Sequence, residues 1–209
     1  MGQRIVEAAS AARNQVRMIE HYAKSGAMGV RRPPMPRLFL LRHAKSPPAV
    51  AGQKDFDRPL AERGRAAMTA VGRYMTKEGY VPDLVLCSPS ARTRETFEEL
   101  RPFLPDHVAV DYVRELYEAS LGTMLRVITS HADSSERLLV VGHNPSIHRL
   151  AATLPGEGDP ALLAEVEAKY PTASLAVIDF SVSWREVRPD GGRLVAFVTP
   201  ADLGGPAGD

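Results

Sequence analysis

Cysteine is almost missing: Cys87 is the only one in 209 residues. No intrachain disulfide can form, which excludes a small secreted fold stapled by disulfides. Cys87 follows the apolar run Leu84-Val85-Leu86 and reads as a buried small hydrophobe rather than a reactive thiol. Long apolar runs are also lacking, and nothing approaches the ~20 residues that a membrane-spanning helix needs. The N-terminus has mixed charge and no apolar signal core. Arg31-Arg32 is followed by prolines where a twin-arginine signal would turn apolar. A cytoplasmic protein with no membrane partner is the expectation. Charge of one sign is not in excess, since 26 basic residues face 25 acidic ones for a net charge of +1. Such a balance gives no broad attraction to nucleic acid or anionic lipid. Any anionic ligand must be held by a few placed side chains.

What remains is an ordinary globular composition, 44% hydrophobic and 24% charged, sufficient for one domain with a sizeable core. Residues 1–36 read as an N-terminal extension. Ile5, Ala8, Ala9, Ala12, Val16 and Ile19 recur at helical spacing, and Arg31-Arg32-Pro33-Pro34-Met35-Pro36 forms an extended connector. Residues 37–202 carry the main domain, and 203–209 a flexible, Gly-rich tail. Within the domain, Leu38–Leu41, Asp83–Cys87 and Arg137–Val141 are short apolar runs suited to strands buried on both faces. Helices are expected over Leu60–Glu78, Ser90–Leu100 with Ser90 as cap, Leu121–His131, and from Pro145 to about Leu154. Val108–Asp111 is a weak strand, and Leu175–Phe180 with Leu194–Val198 form a late hairpin around Pro189-Asp190-Gly191-Gly192. Alternating strands and helices imply an α/β fold. Its architecture is a three-layer sandwich, with a mostly parallel central sheet and helices on both faces.

Three of the buried strands end in polar clusters: Arg42-His43-Ala44-Lys45-Ser46, Ser88-Pro89-Ser90-Ala91-Arg92-Thr93, and Gly142-His143-Asn144-Pro145. Ligands of open α/β sheets bind beyond the carboxyl ends of the strands, so these clusters converge on one pocket. Several chemistries lack their parts. There is no Gly-rich Lys-Ser/Thr loop, no zinc-spaced Cys/His cluster and no Gly-x-Ser-x-Gly elbow. Two histidines and two arginines suit a phosphoryl group. Arginine offers a permanently charged fork of donors, a neutral imidazole can attack phosphorus, and a second imidazole, if cationic, can stabilise its oxygens. Helix N-termini near Ser90 and Pro145 add a favourable dipole. His21, His107, His131, His148 and Arg94 fall outside these clusters and read as structural or solvated, and Trp184 as a packing residue.

Arg42-His43-Ala44 resembles the Arg-His-Gly signature of the histidine phosphatase superfamily, the group that includes the phosphoglycerate mutases. Ser88–Thr96 is similar to its second-arginine motif and Gly142-His143 to its second histidine, in the same order and strand context from about Leu38 to Leu154. The resemblance implies a phosphoglycerate mutase-like fold, a phosphorylated His43, and phosphate binding by Arg42, Arg92 and His143. It implies no metal or organic cofactor. Arg42–Ser46, Arg58-Pro59-Leu60 leading to Gly64, and the compact spacing resemble the SixA-type phosphohistidine phosphatases; Ala44 replaces the usual glycine. Leu116–Gly122 resembles the segment that would make Glu118 the proton donor. SixA-type members do not uniformly keep this acid, and protonated phosphohistidine leaves as neutral imidazole without it. The partner expected is a phosphohistidine-bearing protein or a small phosphorylated metabolite. The alternatives are a broad phosphomonoesterase, a phosphomutase, or a binding module without turnover.

Overall fold

Strand β1 (Arg37–Arg42) has four consecutive fully buried residues, Leu38 to Leu41, because both faces of the sheet around it are covered. Leu38 and Leu40 enter one apolar core and Phe39 and Leu41 another. This is the alternation of side chains across a pleated strand. The computed structural model describes residues 35–131 and 135–208. The helix and most of the connector expected over residues 1–36 lie outside them.

The sheet contains β2 (Leu84–Cys87), β3 (Ala109–Tyr112), β4 (Arg137–Gly142), β5 (Pro155–Gly158), β6 (Leu175–Phe180) and β7 (Gly192–Val198) in the order β3-β2-β4-β1-β6-β7-β5. The pairs β3–β2, β2–β4, β4–β1 and β7–β5 are parallel; β1–β6 and β6–β7 are antiparallel. Helices α1 (Glu62–Glu78) and α2 (Ala91–Leu100) cover one face through Met68, Val71, Met75, Phe97 and Leu100. Helices α3 (Leu121–His131), α4 (Ser146–Thr153) and α5 (Pro160–Ala168) cover the other through Met124, Ile128, Ile147, Leu150 and Val166. The expected α/β sandwich with a mixed, mostly parallel sheet is therefore present.

The differences are local. β5 and α5 occupy a stretch whose sequence carries no clear period. α5 opens instead on an Asp159 cap, whose carboxylate accepts from Ala161 N at 2.8 Å, followed by Pro160. Ser90 stands at the α2 cap position, but its hydroxyl bonds the Thr93 hydroxyl at 2.7 Å rather than a backbone N–H. α1 starts at Glu62, because Leu60 N is taken by the Glu95 carboxylate at 3.0 Å and Ala61 N by Lys45 O at 2.8 Å. Cys87 is fully buried, and Trp184 is buried with its indole N–H donated to Ser135 O at 2.6 Å. Past Val198 the chain turns back, with Gly205 N donating to Pro200 O at 2.8 Å.

Candidate active site

β2, β4 and β1 lie side by side and run parallel, so their C-terminal tips open on one edge of the sheet. Pairing persists to the last residues, Arg42 opposite Gly142 and Cys87 opposite Val141. One step further, His43 N donates to Gly142 O and Ser88 N to Val141 O, each at 3.0 Å. The strand ladder itself therefore places His43, Ser88 and His143. The two imidazoles stand 5.2 Å apart between centroids.

His43 Nδ1 lies 2.8 Å from the Ala44 carbonyl. A carbonyl only accepts, so Nδ1 carries the proton and the Nε2 lone pair is free. Ala44 is tied down in turn. Its N–H donates to Thr96 Oγ1 at 2.9 Å, and that hydroxyl donates to the Arg92 carbonyl, joining the strand tip to the helix that carries Arg92. Burial drives the His43 pKa down to about 3, opposed by the bond to Ala44 and reinforced by His143, Arg92 and Arg42. His143 is likewise lowered to about 3, first by burial and then by Arg92, with Asp55 acting the other way and Arg42 with them. Both rings are therefore neutral, and His143 is a neutral hydrogen-bonding group rather than a cation. Its Nε2 is 2.8 Å from the Ser88 hydroxyl, while Nδ1 is buried without a hydrogen-bond partner among the described residues.

The arginines approach from two sides. Arg42 Nη1 donates to Tyr170 O at 2.8 Å, and Asn144 Nδ2 reaches the same carbonyl at 3.1 Å. Tyr170 is buried, and its hydroxyl donates to Leu40 O at 2.6 Å, which locks this acceptor to β1. Burial lowers the Arg42 pKa, but a guanidinium stays charged. Arg92, in the first turn of α2, is buried and donates from both ends of its fork to one residue. Nη1 reaches Asp55 O at 2.7 Å and Nη2 reaches Asp55 Oδ2 at 2.9 Å.

Asp55 begins a short 3-10 turn in the loop between β1 and α1. Its carboxylate also accepts from Arg58 Nη1 at 2.7 Å and Tyr117 OH at 3.0 Å. Burial acts to raise its pKa, but Arg58, Tyr117 and Arg92 together hold it at about 2. The Tyr117 ring is edge-on to both His143, at 5.6 Å, and Phe56, at 5.0 Å. The Arg114 guanidinium lies 5.1 Å from the centroids of Phe56 and Tyr117.

Arg42, His43, Arg92 and His143 are thus brought together. Glu118 is exposed and follows Tyr117 on a left-handed backbone position with φ 56°. Ser88, Asp55, Tyr117 and Tyr170 are neighbours of the site to which sequence reasoning gave no role. Tyr117 lies within Leu116–Gly122 and Asp55 three residues before Arg58-Pro59-Leu60, two segments that carried the family resemblance, and that proximity was the available signal. Among the described residues, no group of three or more His, Cys, Asp or Glu could hold a metal ion.

Residues 38–129 match the Histidine phosphatase superfamily (branch 1). A solved structure from Agrobacterium tumefaciens, provisionally named phosphohistidine phosphatase SixA, is 32% identical. It superposes with a TM-score of 0.66 over 79% of this chain and 98% of that one. The chain belongs to the histidine phosphatase superfamily. A second provisionally named SixA, from Nakamurella multipartitia, is 29% identical with a TM-score of 0.66, covering 79% and 96% of the two chains. An uncharacterized protein of Mycobacterium tuberculosis is 36% identical over 168 residues, 77% of this chain and 99% of the relative.

Proposed function

We propose that this histidine phosphatase hydrolyses phosphohistidine on another protein, with His43 as the transient phosphoryl carrier. The observation that carries the reading is the 2.8 Å contact of His43 Nδ1 with the Ala44 carbonyl, which leaves Nε2 unprotonated beside two guanidinium groups and a second imidazole. In the first step the Nε2 lone pair forms a bond to phosphorus as the bond to the substrate nitrogen breaks. Arg42, Arg92 and His143 share the non-bridging oxygens, where charge is densest during transfer. In the second step water attacks the phosphorus, the P–Nε2 bond breaks, and the electron pair returns to His43. The water proton passes to phosphate or solvent.

The choice of a phosphoramidate over an ester rests on proton supply. An alkoxide leaving group needs an acid. The carboxylate nearest the cradle, Asp55, is ionised down to a pKa of about 2 and has no proton to give at neutral pH. Glu118 sits exposed beside Tyr117. A protonated phosphoimidazole departs as neutral imidazole and needs neither. The resemblance to proteins named SixA points the same way.

Wild type and His43→Ala, incubated with a phosphohistidine protein, a phosphoserine peptide and small phosphate esters, give the test by phosphate release. Release from phosphohistidine alone, lost in His43→Ala, is expected. Equal rates on esters would shift the reading to a general phosphatase, and release that survives the substitution would remove His43 from the chemistry.

A further inference from the structure

We infer that Asp55 is a specificity-determining residue: its carboxylate accepts the N–H of the substrate's phosphoimidazole ring and thereby selects phosphohistidine over phosphate esters. The inference rests on the function proposed above and extends it to the leaving-group side of the site. Three observations carry it.

First, the position. A group held on both Arg92 Nη atoms lies within one guanidinium width of any phosphoryl group on the same side chain. A guanidinium has five N–H donors, and Asp55 takes one from each Nη, so three remain for phosphoryl oxygens. In-line transfer sends the leaving group away from His43, which is recessed at the strand tip, toward the open side. Asp55 has a half-exposed side chain that is open to solvent while it is held on the buried Arg92.

Second, the charge. A carboxylate beside a phosphate-binding arginine opposes every dianionic substrate, so its presence has a cost that an ester does not offset. A phosphohistidine protonated on its second ring nitrogen does offset it, because that N–H donates to the carboxylate in a charge-assisted bond. The same bond favours the protonated ring. From that form the P–N bond breaks with its electron pair returning to the ring nitrogen, and the product is neutral imidazole. Arg58 and Tyr117 keep the carboxylate in place and ionised, so it is an acceptor throughout.

Third, the shape. Tyr117 and Phe56, packed edge to face under Arg114, form an aromatic wall next to Asp55. A flat, partly cationic ring packs against such a wall favourably. An aliphatic phosphoserine has nothing to place there.

The test is kcat/KM for Asp55→Asn and Asp55→Ala, measured with a phosphohistidine protein and with p-nitrophenyl phosphate, together with inhibition by inorganic phosphate. Each variant should lose about 10- to 100-fold on phosphohistidine, the range for removing one hydrogen bond to a charged group. The loss on the aryl ester should be smaller, so that the ratio of the two kcat/KM values falls, and inorganic phosphate should inhibit more tightly. A parallel loss on both substrates, with weaker phosphate inhibition, would mean that Asp55 only holds Arg92 and would overturn the inference. So would an unchanged substrate ratio. A wild type that shows no preference for phosphohistidine would instead overturn the proposed function, and with it the premise for Asp55, so the two failures are told apart by the wild-type ratio. Both substitutions fall on a half-exposed loop side chain, and near-ultraviolet circular dichroism of each variant verifies that the fold is kept.

Discussion

An imidazole is a nucleophile only while its lone pair is free, and at His43 one hydrogen bond and one environment secure this. The Ala44 carbonyl accepts a hydrogen bond from Nδ1–H, and burial with neighbouring cations keeps a second proton off Nε2 down to about pH 3. A histidine-detected NMR titration of the free protein should show His43 neutral at pH 5, with Nδ1–H retained; an inflection at the ordinary 6.5 would contradict the geometry. Arg92 offers a residue-scale test of a different kind. Lysine in its place keeps the charge but loses the fork, so Arg92→Lys should lower kcat/KM by about 10- to 100-fold, matching the loss of one or two hydrogen bonds to a charged group. Steady-state kinetics against wild type measures this. The four central residues were legible in the sequence because Arg42, His43 and His143 stand at the ends of apolar strands and Arg92 in the first turn of the helix after β2, where chain position predicts convergence. Asp55 and Tyr117 were not, because they reach the site through a loop and a 3-10 turn that have no periodicity to read.

At the scale of elements, the site depends on how tightly the loop after β1 is held to α1. Gly64 is the contact point. A Cβ there would come within 2.4 Å of the Lys45 carbonyl, the acceptor of Ala61 N, and backbone cannot yield as a flexible side chain does. Gly64→Ala is therefore expected to lower both thermal stability and activity, read by melting temperature and phosphate release, although alanine ordinarily favours a helix by about 1 kcal/mol over glycine. Tyr170 ties the acceptor of Arg42 to β1 through its buried hydroxyl. Its removal in Tyr170→Phe leaves the Leu40 carbonyl without that donor, at a cost of about 1–3 kcal/mol in chemical denaturation. Most elements could be predicted from apolar runs and helical spacing. β5 escaped because its placement follows from pairing with β7, which is not local to the segment; α5 carries a local start, Asp159-Pro160, but no clear period after it.

For the molecule as a whole, two buried neutral histidines link folding to pH. His43 and His143 bind protons at about 3 when folded and near 6.5 when unfolded. Between those values the unfolded chain holds protons that the folded chain excludes, so stability is full above about 6.5 and falls as pH drops toward 3. Denaturation midpoints at pH 7.5 and 5 should show this loss, and replacing both histidines by Gln should reduce it; a midpoint independent of pH would contradict the buried neutral state. The three-layer architecture was readable at this scale because continuous apolar strands require cover on both faces, and Leu38–Leu41 has it.

The most direct measurement is to quench the protein during turnover of a phosphohistidine substrate and locate the phosphoryl group by mass spectrometry. If His43 is the carrier, the peptide containing it gains one phosphate that survives alkali, is lost in acid, and never forms in His43→Ala. Turnover with that peptide unmodified, or a phosphate trapped on another residue, would contradict it.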